Sequence, residues 1–296
     1  MSGLRFALLD NTGYMELFSK YLQEKHPQIE NWLFTETSYL EEYLKSHSVD
    51  VLLYTDAVKA EVRDWRQIRQ RILLSRGDCV NEESDTVPVL FQYQSARQIL
   101  QEIYQILAQN EQIHSFSSGI SQNTRFWGVF APYGGWLALD ETDWQRWDFV
   151  FPGKSLLVRM ELLDSIGQEE AALSQLAFFL KQRSARSGLK IKSQIRTRDA
   201  MDVLSLQEDY RDLLSLEKED MEYLMEVLRC ETEYEMVIFY ADFLSEGVIH
   251  LMKNCQRVFA PAPRFPGEVT QRRSLEVLLN REGMGEMVER IEDLTC

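Results

Sequence analysis

Short apolar runs alternate with amphipathic stretches along the first 110 residues. The runs that predict β-strands are Leu4–Leu9, Trp32–Thr35, Val49–Tyr54, Ile72–Ser75 and Val87–Phe91. Apolar residues recur at helical spacing after the first run, and Ser38-x-x-Glu41 and Ser95-x-x-Gln98 have the residue types of a capping box, which opens a helix. Strands that alternate mostly with helices predict a doubly wound parallel sheet over residues 1–110.

A polar stretch separates this region from the second half of the chain. Residues 111–124 are rich in polar residues, have no sustained apolar period and are predicted to be a linker. Beyond it, strands are predicted at Phe126–Phe130, Ser155–Met160, Met236–Tyr240 and Arg257–Pro261. Helices are predicted at Glu170–Lys181 and Lys218–Arg229. Residues 125–296 are therefore predicted to form a second α/β domain, again with a doubly wound parallel sheet.

Composition and charge narrow the classes of function. The 296 residues are 45% hydrophobic and 27% charged, the balance of a soluble protein with a full core. The 47 acidic residues outnumber the 32 Lys and Arg, and a net charge of -15 repels a nucleic-acid backbone, so no nucleic-acid partner is expected. The N-terminus lacks the apolar run of a signal peptide, and no stretch of about 18 apolar residues occurs. We therefore expect a cytoplasmic protein without a spanning segment.

Cysteine and histidine give no sign of a metal or catalytic site. The four cysteines have no C-x-x-C spacing, and the four histidines lie far apart without a partnered Ser or Cys motif. No pair among the many Asp and Glu residues is marked as an acid and its base. No metal ligand and no catalytic residue is predicted.

The order of elements in the first half resembles the receiver domain of two-component response regulators. In that family an acidic pair, an aspartate, a Ser or Thr and a Lys follow strands one, three, four and five and build a phosphorylation site around magnesium. The corresponding residues here are Asp10 with Asn11 beside it, Thr55, Ser75 and Gln92. The hydroxyl of Thr55 cannot form an acyl phosphate, and a single carboxylate provides few ligands for Mg²⁺. The resemblance therefore implies a pseudoreceiver. Asp56 lies one residue later, and a register shifted by one would restore the acceptor.

The second half is similar to the P-loop ATPases of the MinD/ParA class. The sequence FWGVFAPYGG at 126–135 predicts a strand that runs into Gly134 and Gly135, where that class has a strand followed by K-G-G-x-G-K-T. The sequence YEMVIFY at 234–240 is similar to the class's Y-D-x-V-I-x-D strand. With a receiver-like domain in front, the layout resembles the TadZ/CpaE pilus-assembly proteins over nearly the whole chain.

The residues that bind nucleotide in that class are replaced here. Alignment on Gly134 and Gly135 brings other residues to the positions of the signature Lys, the third Gly, the P-loop Lys and the Thr: Tyr133, Leu137, Ala138 and Leu139. Tyr240 takes the place of the metal-binding aspartate, with Asp242 two residues later. Phosphoryl transfer depends on those lost groups, so Gly134 and Gly135 are interpreted as a vestigial nucleotide site and no cofactor is predicted.

One basic segment departs from the acidic background. Residues 181–198 contain seven cations and no Asp or Glu. Five of these cations form a candidate partner patch: Lys181, Arg183, Arg186, Lys190 and Lys192. The segment either docks an acidic partner, a membrane surface or a second subunit, or is a solvated helix end and loop.

By resemblance, we expect a non-catalytic pseudo-ATPase scaffold or localisation factor for type IV (Tad-type) pilus assembly or secretion. Its partners would be proteins of that machinery, and the sequence leaves open whether it also forms a homodimer. Within the cytoplasm, it would be recruited to the inner face of the membrane or to a cell pole. Three other functions stay open. One is a dimerising switch that binds ATP and Mg²⁺ through an unconventional site, the second is a signalling module acting through Asp10 and Asp56, and the third is a DNA-binding ParA role.

Overall fold

Two β-sheets organise the chain in this computed structural model, which describes residues 3–77, 87–110, 124–131, 153–162, 175–198, 201–206, 210–263 and 265–294. The chain divides into two compact units. The first comprises Met1–Gly119 with Gly188–Ser193, and the second comprises Ile120–Ser187 with Gln194–Cys296. The segment Gly188–Ser193, which the sequence pattern placed in the second domain, thus groups with the first unit. Apart from Thr124, the predicted linker lies outside the described residues.

A five-stranded parallel sheet forms the centre of the first unit. Its strands are β1 (Arg5–Leu9), β2 (Glu30–Phe34), β3 (Val49–Thr55), β4 (Ile68–Ser75) and β5 (Val89–Phe91). Every pairing is parallel, and the order across the sheet is β2-β1-β3-β4-β5. The helical elements are α1 (Tyr14–Lys25), α2 (Thr37–Leu44), a 3₁₀ helix (Asp56–Glu61) and α3 (Ala96–Gln109). All five strands predicted for this half are present.

Both faces of this sheet carry a hydrophobic core, because successive side chains of a strand point to opposite faces. Phe6 and Leu8 of β1 belong to a cluster with residues of α1 and α3, whereas Ala7 and Leu9 belong to a cluster with residues of α2. The capping box at Ser95 is confirmed: its side chain accepts from the Gln98 N–H, and the Gln98 side chain accepts from the Ser95 N–H. The first predicted capping box is wrong, because α2 begins at Thr37 and not after Ser38.

The second unit is built on a seven-stranded sheet. Its strands are β6 (Arg125–Phe130), β7 (Ser155–Met160), β8 (Arg196–Arg198), β9 (Met201–Ser205), β10 (Met236–Ala241), β11 (Arg257–Pro261) and β12 (Ile291–Leu294). The order is β12-β11-β6-β10-β7-β9-β8. The helices of this unit are α4 (Leu176–Lys181), α6 (Tyr210–Leu214), α7 (Lys218–Glu231), α8 (Glu246–Lys253), α9 (Pro266–Arg281) and α10 (Gly285–Arg290). The remaining helix, α5 (Ser187–Gln194), consists mostly of the segment that groups with the first unit.

The second sheet is mixed, which corrects the prediction of a purely parallel one. Six strands run parallel, but β8 pairs with β9 in the antiparallel sense, with Arg196 opposite Val203. Only residues 199 and 200 separate these two strands, and a parallel pair would need a crossover of a dozen or more residues. The chain is α/β in both halves, with one parallel and one mixed sheet.

Candidate functional site

The carboxyl ends of four strands lie at one edge of the first sheet. Parallel strands all end at the same edge, so residues at the ends of β1, β3, β4 and β5 share it: Asp10, Thr55, Asp56, Ser75 and Gln92. Apart from Asp56, which is partly exposed, each of them exposes at most 3% of its surface. The structure thus brings to one edge all five residues that the sequence assigned to the vestigial receiver site.

Hydrogen-bond donors surround the Asp10 carboxylate. Its Oδ1 accepts from the Thr12 N–H at 3.1 Å, the Thr12 hydroxyl at 2.8 Å and the Thr55 hydroxyl at 2.9 Å, and its Oδ2 accepts from the Met15 N–H at 3.2 Å. Burial acts to raise the pKa of Asp10, but the donors outweigh it and hold that pKa below its ordinary value. Three of the four donors bond Oδ1, and the Thr12 hydroxyl also lies 3.0 Å from Oδ2, so both oxygens of the carboxylate are engaged.

Sequence reasoning missed Thr12, whose hydroxyl lies within hydrogen-bond distance of both oxygens of Asp10, at 2.8 and 3.0 Å. An available signal was the Asp-x-Thr spacing directly after a strand, since an aspartate side chain commonly accepts from the backbone two residues later. This local turn anchors Asp10 at the start of α1. The carboxylate therefore holds the β1–α1 connection together.

Asp56 and Gln92 each have a buried acceptor atom without a hydrogen-bond partner among the described residues. Asp56 accepts from the Arg76 N–H at 2.9 Å through Oδ2, while its Oδ1 has no partner in the part of the chain that the structure describes. The Gln92 backbone donates to the Ser75 carbonyl at 2.8 Å and accepts from the Tyr14 hydroxyl at 2.5 Å, but the side-chain Oε1 has no partner among the described residues. Both atoms can accept a hydrogen bond from water or from a ligand donor.

The metal-ligand inventory of the described residues is small. Across them, no group of three or more His, Cys, Asp or Glu side chains is arranged to hold a metal ion. Among the five residues named at the edge of the first sheet, two are carboxylates: Asp10, with its donors in place, and Asp56, one oxygen of which accepts from backbone.

In the second unit, the two strands aligned with the P-loop class lie side by side. β6 and β10 are parallel neighbours, with Val129 opposite Tyr240. Tyr240 is only 3% exposed, and burial raises the pKa of its phenol, with the charges of Glu161 and Asp242 adding to the rise. Asp242 accepts from the Leu162 N–H at 3.2 Å. Gly134 and Gly135 lie outside the described residues.

Several cations of the predicted partner patch contact residues of their own chain. Arg183 lies 3.6 Å from Asp220 and stacks on the ring of Tyr223, and Arg186 stacks on Phe179. Lys181 is exposed. Lys190 and Lys192 belong to the segment Gly188–Ser193, which groups with the first unit. In this segment, Leu189 is part of the hydrophobic core of that unit. The Lys192 ammonium lies 5.8 Å from the centre of the Tyr104 ring. The five cations are thus divided between the two units.

Comparison with known proteins gives no match, either to the models of protein families or to curated protein sequences. Within the described part of the chain, none of the helices combines the length and the apolar character needed to cross a bilayer.

Proposed function

We propose that the protein is a non-catalytic scaffold or localisation factor of the TadZ/CpaE type, which serves Tad-type pilus assembly or secretion by binding proteins of that machinery. The observation that carries this proposal is the buried phenol of Tyr240 on β10. In the P-loop class an aspartate at this position holds Mg²⁺ beside the phosphates. β10 is the parallel neighbour of β6, the strand that precedes Gly134 in the sequence, and a phenol in place of the aspartate lacks the carboxylate that binds Mg²⁺.

The first unit supports the same proposal. Its strand order of 2-1-3-4-5 is that of flavodoxin-like doubly wound sheets, which is the order expected of a receiver-like domain. At the carboxyl edge, Thr55 donates its hydroxyl to Asp10, so both residues serve the fold. A domain built in this way presents a fixed surface to partners and does not need phosphorylation to do so.

The test is direct nucleotide binding. Calorimetry with Mg-ATP and Mg-ADP, with light scattering to record mass, is run beside an active MinD/ParA-class ATPase as the positive control. We expect no heat of binding and an unchanged mass, followed by co-purification with components of Tad-type machinery. Micromolar binding with a shift from monomer to dimer would contradict the proposal and favour the nucleotide-dependent switch.

A specific observation also favours the signalling function as a second candidate. Asp56 has a buried Oδ1 without a partner in the described structure, beside Thr55 at the end of β3. In phosphoryl transfer from acetyl phosphate, a carboxylate oxygen attacks the phosphorus and forms an aspartyl phosphate, while the bond from phosphorus to the acetyl oxygen breaks and acetate leaves. Labelling that disappears in Asp56→Asn but persists in Asp64→Asn, an exposed aspartate of the same unit, would establish this function. Absence of labelling in the unsubstituted protein would rule it out.

A further inference from the structure

Strand β5 is the outermost strand of the first sheet, and its outer side is open in the described structure. β5 pairs with β4 alone, and no described strand lies beyond it. The Pro88 carbonyl accepts from Leu73, and the Gln92 N–H donates to Ser75, so the even-numbered residues turn their backbone groups toward β4. Alternate residues of a strand point these groups in opposite directions. The N–H and C=O groups of Val89 and Phe91 therefore point outward.

The same two residues expose their side chains. Val89 is 46% exposed and Phe91 is 49% exposed, while Leu90 between them is buried. Tyr93 continues the alternation at 62% exposed, with its ring 5.7 Å from that of Phe91. These three residues are most of the large hydrophobic side chains that the described part of the first unit exposes, the others being Leu17 and Tyr39. The outer strand thus has backbone groups that point outward and exposed apolar side chains beside them.

Charge distinguishes β5 from the other outermost strands. Proteins commonly protect such strands against pairing with another chain by placing charged residues on them. β2 contains Glu30, β12 contains Glu292 and Asp293, and β8 contains two arginines. β5 has the sequence VLF, and no charged residue occurs from Val87 to Ala96. Among the four outermost strands of the described sheets, β5 alone has no charge.

We infer that β5 is a self-association strand, which pairs antiparallel with β5 of a second copy of this chain. A two-fold axis beside Leu90 places Val89 of one copy opposite Phe91 of the other. Both residues point their backbone groups outward, so each such pair can exchange two N–H···O bonds. The exposed side chains then meet as two Val–Phe cross-strand contacts, a favourable combination of β-branched and aromatic residues. The two sheets would join into one.

The overall charge of the protein favours a second copy at this strand. Two chains that each carry a net charge of -15 repel one another over most of their surfaces. An uncharged strand is a place where they can approach without placing like charges opposite each other. A strand of three residues buries less area than a standard interface, so we expect weak, concentration-dependent association.

The experiment is sedimentation analysis over a concentration series without nucleotide, so its outcome is independent of the proposed pseudo-ATPase function. The unsubstituted protein is compared with two double variants, Val89→Lys with Phe91→Lys, and Val89→Glu with Phe91→Glu. The matched control is Leu17→Lys with Tyr39→Lys, which replaces two exposed apolar residues elsewhere in the same unit. Circular dichroism confirms that each variant is folded.

We expect the control to dimerise like the unsubstituted protein and each double variant to associate at least about tenfold more weakly, because like charges then lie opposite each other. An equal mixture of the two double variants should regain dimer, since lysines of one copy then face glutamates of the other. A monomeric unsubstituted protein at all concentrations, or a mixture that stays monomeric, would overturn the inference. So would equal loss of dimer in the control.

Discussion

Replacing Asp10 tests whether this carboxylate serves the fold. Asp10→Ala removes the acceptor of four donors. Thr12 is exposed, so water can replace the lost acceptor for its two donors. Thr55 and Met15 are buried, at 3% and 0% exposed, and their donors are left without an acceptor. Each such donor costs about 1–3 kcal/mol, so we expect a loss of about 2–6 kcal/mol in the free energy of unfolding. Asp10→Asn, which keeps one oxygen, should lose about 1–3 kcal/mol.

The stability that Asp10 contributes to the fold should decrease as the pH falls. Its folded pKa lies below its ordinary value, so the carboxylate stabilises the fold fully above the unfolded pKa of about 3.9. That contribution is lost as the pH falls through the folded pKa. The difference in stability between the unsubstituted protein and Asp10→Asn should therefore be largest near neutral pH and shrink in acid.

Urea unfolding at pH 7 and at acidic pH measures these changes, and hydrogen exchange of the β1–α1 peptides assigns them to the first unit. Asn11→Ala is the matched control, because Asn11 is an exposed neighbour in the same turn, and it should change stability by less than about 0.5 kcal/mol. An Asp10→Ala variant as stable as this control would refute the structural role.

Three further experiments, two on substituted proteins and one on thiol labelling, have defined outcomes. Gly128→Ala places a Cβ against the buried sulfur of Met252, so it should destabilise the second unit by about 1–3 kcal/mol in urea unfolding, and the same substitution should cost less in a Met252→Ala background. Ser95→Ala removes the capping box of α3 and should cost about 1 kcal/mol, whereas Ser95→Asp should retain most of the stability in the same assay. Burial raises the pKa of the Cys255 thiol, so mass spectrometry should find iodoacetamide on exposed Cys230 well before Cys255, which reacts only after urea unfolds the chain.

Each of these predictions can fail in a recognisable way. An unchanged unfolding curve for Gly128→Ala would mean that the Met252 side chain moves aside at little cost. Equal losses in Ser95→Ala and Ser95→Asp would remove the capping explanation. Early labelling of Cys255 in the folded protein would contradict its burial.

The features that the sequence predicted are those that depend on neighbours along the chain. The alternation of apolar runs identified every strand of the first sheet, because a strand covered on both faces is apolar at consecutive positions. The capping box of α3 was predictable because its two partners, Ser95 and Gln98, are three residues apart. The positions of Asp10, Thr55 and Gln92 at one edge followed from the rule that parallel strands end together.

Only the tertiary structure decided how those groups are used. The hydroxyl of Thr55 bonds Asp10 across 45 positions of sequence, which no local pattern specifies. The antiparallel β8, the entry of Leu189 into the first core and the outermost place of β5 among the described strands depend on which segments meet in space. Local sequence determines which backbone conformation and which face a residue favours. Long-range packing determines which partner reaches it, and here it gave Asp10 its hydrogen-bond donors and placed β5 outermost among the described strands of its sheet.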